Sequence, residues 1–279
     1  MTAPRSTYIE AEGLEIHVTE WGDPGRPALV MWHGLARTGR DFDEAAAALC
    51  DSYFVLCPDT PGRGLSSWAR DYRRDYSYAT FGRIAEAVLA HHGIDRLRWV
   101  GTSMGGLIGV TLAAGALKGR ISHLVINDIG PDIPSAGAER IAAYVGTPPV
   151  YDTVAELEAW LRANYAPFGA NTDAFWRRMA DTSARRTDDG RVTVHYDPHI
   201  VSQFTHHKAD LDVWDAYDAV AARTLLIRGE SSDVLAAPVA DEMTRRGPRP
   251  DLRVISGCGH APTLADAAQI ALLRGFLAT

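Results

Sequence analysis

The sequence predicts an α/β fold in which a mostly parallel central sheet is flanked by helices. Short apolar, β-branched runs recur along the chain, as is typical of strands buried on both faces. Helical stretches lie between most of these runs, and such alternation favours a parallel sheet. The alternation stops near residue 131 and resumes near residue 223, which indicates an insertion into a single sheet domain.

The predicted elements follow one another in a regular order. Predicted strands cover residues 16–21, 29–32, 53–57, 97–100, 123–126, 224–227 and 252–255. Predicted helices cover residues 42–49, 79–91, 104–117, 238–246 and 265–277. We therefore expect residues 1–130 and 223–279 to form one core domain.

Residues 131–222 are predicted to form a helical lid on that core. Thr153 and Glu156 have the spacing of a capping box, which predicts a helix running to Tyr165. Another helix is predicted over residues 173–185, and residues 191–196 are expected to be a short strand or an extended loop. Because the sheet pattern resumes afterwards, the chain must return to the same core.

Composition narrows the possible partners. The chain has 279 residues, of which 46% are hydrophobic and 23% charged, and a net charge of −7. An acidic chain does not favour a nucleic-acid partner, because phosphate binding needs a basic patch. No apolar run reaches the length of about 18 residues that spans a bilayer. We expect a small-molecule substrate as partner, with no membrane contact and no indication of an oligomeric state.

The cysteines and the first residues bear on location. Cys50, Cys57 and Cys258 are odd in number and form no C-x-x-C motif, so free buried thiols are expected. The first ten residues contain no apolar stretch of the kind found in secretory signals. Together these features predict a cytoplasmic protein.

A nucleophile motif follows the predicted strand at 97–100. The sequence Gly-Thr-Ser-Met-Gly at 101–105 has the G-x-S-x-G pattern, and a predicted helix starts at Met104. This is the strand–turn–helix context of a nucleophile elbow, in which a tight turn exposes the serine above the sheet. The start of the following helix offers unpaired N–H groups to a developing anion. Ser103 is therefore the candidate nucleophile.

A serine nucleophile needs a base and an acid. His260 follows the last predicted strand among glycines, which lets its loop bring the imidazole over the sheet edge. Asp233 follows the strand at 224–227, and the order Ser103, Asp233, His260 suits this elbow. Glu230 competes with Asp233 for the acid's role. Asp128, at the end of the preceding strand, is the topological alternative.

These motifs together resemble the α/β-hydrolase fold superfamily, in particular its serine esterases and lactonases. The resemblance covers nearly the whole chain and rests on His33-Gly34, the segment 58–66, the elbow, the segment from Arg228-Gly229 to Asp233, and Gly259-His260. We expect a helical lid inserted after the sixth strand of this fold. The resemblance also implies two-step acyl transfer, which requires no cofactor and no metal.

The oxyanion hole and the substrate contacts are placed by position. The backbone N–H of Met104 should face the oxyanion, and enzymes similar to this one take their second donor from the residue after His-Gly, here Leu35. Five residues are candidates for substrate binding: His33, Arg37, Trp160, Phe168 and Trp214.

Two of these candidates have other interpretations. His33 suits a loop-holding role better than proton transfer, and Arg37 is either a carboxylate anchor or a surface arginine. We expect about half of the aromatic residues in the lid to line the pocket and half to pack its helices, the group being Trp160, Tyr165, Phe168, Trp176, Phe204 and Trp214.

Two weaker patterns do not change this interpretation. The segment 62–64 lacks the third glycine and the immediate helix of a dinucleotide-binding loop. His206, His207 and Asp210 lie in a polar stretch with no supporting metal motif. We therefore predict no cofactor site and no metal site.

The predicted reaction is hydrolysis of a carboxylic ester of a small or medium apolar substrate. A lactone, or a carbon–carbon bond beside a carbonyl group, is the alternative on the same triad, and Arg37 would then bind an acidic substrate. A binding protein that keeps the fold without turnover is the alternative of another class. The complete set of triad candidates argues against it.

Overall fold

The computed structural model describes residues 3–279, apart from the side chains of residues 136, 208 and 209. The first two residues of the segment expected to lack a secretory signal lie outside this description. Strands β1–β11 cover Arg5–Ala11, Leu14–Trp21, Ala28–Trp32, Phe54–Pro58, Leu97–Thr102, Ile121–Asn127, Val150–Tyr151, Ala184–Arg186, Val192–Val194, Arg223–Gly229 and Asp251–Ile255. Helices α1–α11 cover Asp43–Leu49, Tyr72–Asp75, Tyr78–His91, Met104–Ala114, Ser135–Val145, Val154–Asn164, Asp173–Ser183, Gln203–His206, Trp214–Asp218, Ala237–Met243 and Ala267–Leu277. Short 3₁₀ helices cover Gly39–Phe42, Ala166–Phe168, Pro198–Ser202 and Lys208–Leu211.

The central sheet has eight strands in the order β1-β2-β4-β3-β5-β6-β10-β11. Strand β2 pairs antiparallel with both β1 and β4, and the other neighbours are parallel. The predicted α/β fold is therefore confirmed. The carboxyl ends of β5, β6 and β10 lie side by side, since Gly101 pairs with Ile126, which in turn pairs with Leu226.

Helices cover both faces of the sheet, because successive side chains of its strands point in opposite directions. Leu29 and Met31 of β3 pack in a core cluster with residues of α1 and α11. Val30 and Trp32 of the same strand belong to a second cluster, which contains residues of α3 and α4. All five residues of β3 are buried, which explains its unbroken apolar sequence.

The chain leaves the sheet after β6, the sixth strand, and returns at β10. The segment between them contains α5–α9 and an antiparallel sheet in the order β7-β9-β8. The sequence predicted a helical lid here, whereas the segment contains a small sheet as well as helices. The capping box at Thr153 and Glu156 is present, and it begins α6.

The structure differs from the sequence-based elements at β1 and at the end of α7, among other places. Strand β1 was not predicted, because only part of it is apolar and it contributes just one edge of the sheet. The helix predicted over residues 173–185 ends at Ser183, where β8 begins. Residues 191–196, expected to be a short strand or an extended loop, do contain a strand, β9.

Within residues 3–279, none of the helices combines the length and apolar character needed to cross a membrane. Cys50, Cys57 and Cys258 are all buried free thiols, as the sequence indicated. Burial raises the pKa of the Cys258 thiol to about 11, which keeps it protonated at neutral pH.

Candidate active site

Ser103 occupies the sharp turn between β5 and α4. Its backbone is strained, with φ of 52° and ψ of −117°, in a region that residues with side chains rarely adopt. The turn is closed by two glycines. A Cβ on Gly101 would collide with the carbonyl of Gly105, and one on Gly105 would collide with the carbonyl of Trp32. The nucleophile elbow expected from the sequence is thus formed.

A continuous chain of hydrogen bonds runs from this serine into the sheet. His260 Nε2 lies 3.0 Å from Ser103 Oγ, and His260 Nδ1 lies 2.8 Å from Asp128 Oδ2. The His260 loop is tied to β6 by Asn127, whose Nδ2 donates to the carbonyl of Pro262 at 2.8 Å. The serine hydroxyl, the imidazole and the carboxylate are therefore aligned.

Asp128 is the carboxylate that contacts the histidine. Its side chain is fully buried, and its Oδ1 accepts the backbone N–H of Gly229 at 2.7 Å. Its Oδ2 also accepts the hydroxyl of Ser232 at 2.7 Å. The residue adopts a φ of 57°, a left-handed conformation that aspartate tolerates better than most residues. These bonds hold the carboxylate so that one oxygen faces His260.

The prediction that Asp233 orients His260 is wrong. Its carboxylate instead forms a bidentate pair with Arg140 of α5, at 2.5 and 2.9 Å, and is 45% exposed. Burial alone would raise the pKa of Asp233, but the hydrogen bond and charge of Arg140 hold it below its ordinary value. The other alternative, Glu230, accepts the backbone N–H of Gly257.

The two predicted oxyanion donors are available beside the serine. Within residues 3–279, the backbone N–H groups of Leu35 and Met104 donate no hydrogen bond to the protein. Gly34 brings the first donor close, since a Cβ at that residue would lie 3.6 Å from the Cβ of Ser103. The second donor is the first N–H of α4. Both are free to bind an oxyanion.

Arg63 contacts both residues that carry these N–H donors. The sequence did not single it out. Its guanidinium is fully buried and donates from Nε to the carbonyl of Leu35 at 2.8 Å. Its Nη2 lies 3.7 Å from the sulfur of Met104. Burial lowers the pKa of Arg63 to about 10, which leaves it charged at neutral pH. One buried cation thus contacts both residues that offer the donors.

His33 belongs to the loop core. It is fully buried; its Nδ1 lies 2.7 Å from the carbonyl of Gly34, and its Nε2 accepts the backbone N–H of Thr60 at 2.9 Å. Burial lowers the pKa of His33 to about 4, so the imidazole is neutral at working pH. Both ring nitrogens are used by the protein. This geometry favours the loop-holding role over substrate contact.

Arg37 is buried, so it is not a surface arginine. It forms a bidentate pair with Asp41, with Nε at 2.9 Å and Nη2 at 2.6 Å. Its guanidinium also stacks on Tyr165, with 5.1 Å from the carbon to the ring centre. It lines a cavity beside Ser103, but Asp41 already occupies its bidentate face.

The six aromatic residues singled out in the inserted segment divide evenly between cavity lining and helix packing. Tyr165, Phe168 and Phe204 line the two cavities that adjoin Ser103. Trp160 packs edge-on against Tyr144 and Tyr165, Trp176 packs against Phe175, and Trp214 lies in a separate groove against Arg246. Of the residues predicted to bind substrate, Phe168 is placed at the site, whereas Trp160 and Trp214 are not.

Arg140, Tyr144 and Asn164 also line the site, although no sequence pattern marks them. They lie in helices whose sequences look like those of ordinary solvent-exposed helix faces. Among the described residues, no three His, Cys, Asp or Glu side chains are arranged to hold a metal ion.

Comparisons with known proteins identify the family of this chain. The model of the alpha/beta hydrolase fold family matches residues 27–266. The chain is 38% identical over 267 residues to the 3-hydroxybutyrate-oligomer hydrolase of Cupriavidus necator, covering 92% of this chain and 90% of that protein. It is 27% identical over 269 residues to esterase Rv0045c of Mycobacterium tuberculosis, covering 95% and 87% of the two chains.

A solved structure has nearly the same fold. An alpha/beta hydrolase from Novosphingobium aromaticivorans aligns with a TM-score of 0.89 and 34% identity, covering 100% of this chain and 99% of that one. The family model spans most of the sequence, and the relatives are named as hydrolases and esterases. The chain therefore belongs to the alpha/beta hydrolase family and is a hydrolase.

Proposed function

We propose that this hydrolase cleaves carboxylic esters through an acyl-enzyme on Ser103. The observation that carries the proposal is the hydrogen-bond chain from Ser103 through His260 to Asp128, with distances of 3.0 and 2.8 Å. A serine hydroxyl becomes nucleophilic when an adjacent imidazole accepts its proton, and a carboxylate stabilises the resulting imidazolium. In the proposal Asp128 therefore replaces Asp233 as the acid.

The reaction proceeds in two steps. Ser103 Oγ attacks the ester carbonyl while His260 Nε2 takes its proton, and the oxyanion accepts the N–H groups of Leu35 and Met104. His260 then protonates the departing alcohol, leaving the acyl group on Ser103. Water attacks this second ester with His260 as base, and the acid is released. Each oxyanion donor contributes roughly 3 kcal/mol of transition-state stabilisation in such sites.

We propose short linear esters of hydroxy acids as the substrate class, with 3-hydroxybutyrate oligomers as the best candidate. The 38% identical relative is named for that substrate and matches over 92% of this chain. Two separate cavities flank Ser103, so an acyl part and an alcohol part have a place on either side of the scissile bond. Hydrolysis of one internal ester consumes one water and yields a free acid and a free alcohol.

The test is hydrolysis of the 3-hydroxybutyrate dimer and trimer by wild type and Ser103→Ala. We expect monomer release by the wild type and a fall of at least about 10³-fold in the variant, which retains binding but no nucleophile. In parallel, the rates of hydrolysis of p-nitrophenyl esters from acetate to octanoate show how long an acyl chain the pocket accepts.

Each of the other outcomes would change the proposed substrate or the proposed function. Turnover of p-nitrophenyl esters without turnover of the oligomers removes the substrate but keeps the mechanism. Turnover of lactones alone favours the lactonase alternative. Thermal stabilisation by the oligomers with no turnover in a folded wild type favours a binding protein and removes the enzymatic proposal.

A further inference from the structure

The two cavities that meet at Ser103 differ in chemistry. One is lined mainly by apolar side chains, among them Leu107, Ile133 and Phe204. The other contains two guanidinium groups, from Arg37 and Arg140, beside phenol and amide side chains. The site therefore has an apolar side and a cationic side, with the nucleophile between them.

Arg37 is not available to a ligand. Its Nε and Nη2 already bind both oxygens of Asp41, whose side chain is only 22% exposed. A substrate that displaced Asp41 would leave a largely buried carboxylate without its partner, which is strongly unfavourable. The charge of Arg37 is thus neutralised within the protein, and the cationic side depends on Arg140.

Arg140 is held differently. Its Nε and Nη2 bind the two oxygens of Asp233, but the two side chains are 36% and 45% exposed. Partly exposed pairs of this kind contribute little to stability, because water solvates either partner when the pair opens. A second carboxylate can therefore replace Asp233 on the same fork at small cost.

We propose that Arg140 binds a free carboxylate of the ester substrate, and that Asp233 occupies this place while the site is empty. The substrate class is a linear ester with one apolar arm and one arm ending in a carboxylate. The planar guanidinium suits the role, since it binds carboxylates through two parallel hydrogen bonds. This inference rests on the proposed ester hydrolysis and adds the part of the substrate that is recognised.

The position of the pair fits this exchange. Arg140 and Tyr144 lie one helical turn apart on α5 and line the same cavity as His260. Burial raises the pKa of the Tyr144 phenol, so it remains a neutral donor beside the guanidinium. Ser103 lines this cavity as well, so Arg140 lies near the reacting groups. A carboxylate on Arg140 therefore lies within the substrate's reach of Ser103.

The experiment compares one ester in two charge states. The substrates are the 3-hydroxybutyrate dimer as its free acid and as its methyl ester, which differ at the terminal carboxylate. The measured quantity is the ratio of kcat/KM for the acid to kcat/KM for the methyl ester. Wild type, Arg140→Gln, Arg140→Lys and Asp233→Asn are compared, with the exposed Arg177→Gln as the matched arginine control.

We expect Arg140→Gln to lower this ratio by about tenfold to a hundredfold, mainly through KM for the acid, since charge-assisted hydrogen bonds are lost. Arg140→Lys should recover part of the ratio, because lysine keeps the positive charge but lacks the two parallel N–H donors of the guanidinium. Asp233→Asn should raise the ratio a few-fold, because the competing carboxylate is gone. Arg177→Gln should keep the wild-type ratio.

Other results overturn the proposal. If Arg140→Gln lowers kcat/KM for both substrates by the same factor, the Arg140–Asp233 pair only holds α5 against the core. If Asp233→Asn loses most of its kcat on both substrates, Asp233 acts in the triad. Should Arg140→Gln fail to fold, the Lys and Asn variants decide the question. If the wild type cleaves the methyl ester without preferring the acid, the carboxylate-binding role of Arg140 is overturned but the ester hydrolase proposal stands. If the wild type cleaves neither substrate, both proposals are overturned.

Discussion

Among the residues that the structure describes, two serine–histidine–aspartate chains occur, and one of the two lies at an elbow. The elbow trio is Ser103, His260 and Asp128, with distances of 3.0 and 2.8 Å. The hairpin trio is Ser6, His17 and Asp59. There, His17 Nε2 lies 2.9 Å from Ser6 Oγ and its Nδ1 lies 2.8 Å from Asp59 Oδ2. The same atoms are connected in the same order.

The surroundings of the two trios differ. Ser103 begins α4 with a strained backbone and has two free N–H donors beside it. Ser6 is exposed on edge strand β1, where it pairs with Thr19 and where no helix begins. Its trio lines an open groove on the surface. We therefore expect the hairpin trio to be catalytically inactive, because it lacks the preorganised oxyanion donors that acyl transfer needs.

The two aspartates also serve different ends. Asp59 is buried and accepts the backbone N–H groups of Gly39 at 2.7 Å and Leu65 at 3.0 Å, besides bonding to His17. Burial alone would raise its pKa, but the bond to His17 and the charges around it lower the pKa of Asp59 on balance. It stabilises the loop that follows β4. In the proposed mechanism, Asp128 instead orients a base.

The largest difference should come from replacing these aspartates. We expect Asp128→Asn to lower kcat by about 10³–10⁴-fold with the fold retained, because His260 loses the carboxylate that sets its tautomer. We expect Asp59→Asn to lower the free energy of unfolding by about 3 kcal/mol, because a buried pair is broken. Kinetics on p-nitrophenyl butyrate and chemical denaturation measure the two effects.

The control is the specific activity of the folded fraction. If folded Asp59→Asn lost as much kcat as Asp128→Asn, the hairpin trio would belong to the catalytic machinery. Full activity in Asp128→Asn would remove Asp128 from the mechanism.

His33 sharpens the contrast, because it is a buried histidine whose ring bonds to a carbonyl, an N–H and a hydroxyl rather than to a carboxylate. Burial lowers its pKa from 6.5 to about 4. Between these values the unfolded chain takes up a proton that the folded protein does not. The free energy of unfolding should therefore fall as pH decreases through this window, by up to about 3 kcal/mol from this group.

Denaturation of wild type and His33→Gln at pH 7, 6, 5 and 4 measures this dependence. We expect the variant to be less stable at pH 7, since the N–H of Thr60 loses its acceptor, but to show a shallower decrease towards pH 4. Parallel curves for the two proteins would assign the pH dependence to other groups.

The smallest effect is expected at Ser6. Ser6→Ala should change kcat by less than about twofold and stability by about 0.5 kcal/mol, as for most exposed sites. Labelling with a fluorophosphonate should be retained in this variant and absent from Ser103→Ala. A label found on Ser6 in the Ser103→Ala protein would make the hairpin trio a second reactive site.

The sequence predicted the sheet, the elbow and His260, because each is marked by a local pattern: apolar runs, paired glycines, and a histidine after a strand. It did not resolve the acid. Asp128 and Asp233 follow neighbouring strands, β6 and β10, and end at the same sheet edge. The choice between them depends on the Asp128 backbone and on Arg140, and neither contact has a signature in the sequence.

The same limit explains the other differences. Arg63 and Arg140 are two among many arginines, and only tertiary packing buries one and leaves the other beside the nucleophile. Three of the six aromatic residues singled out in the inserted segment line the cavities at Ser103. The sequence did not show which three, since a helical pattern marks an apolar face but not what packs against it. Strand β1 is recognisable only through its pairing with β2.

The glycines of the elbow have a consequence for mutational scanning. A methyl group at Gly101 or Gly105 would overlap backbone atoms, which cannot move aside as a flexible side chain can. In a saturation library scored by activity, both positions should tolerate as few substitutions as Ser103, although neither supplies a reacting atom. A parallel score for cellular abundance would separate them, because we expect Ser103→Ala to keep its protein level and the glycine variants to lose theirs.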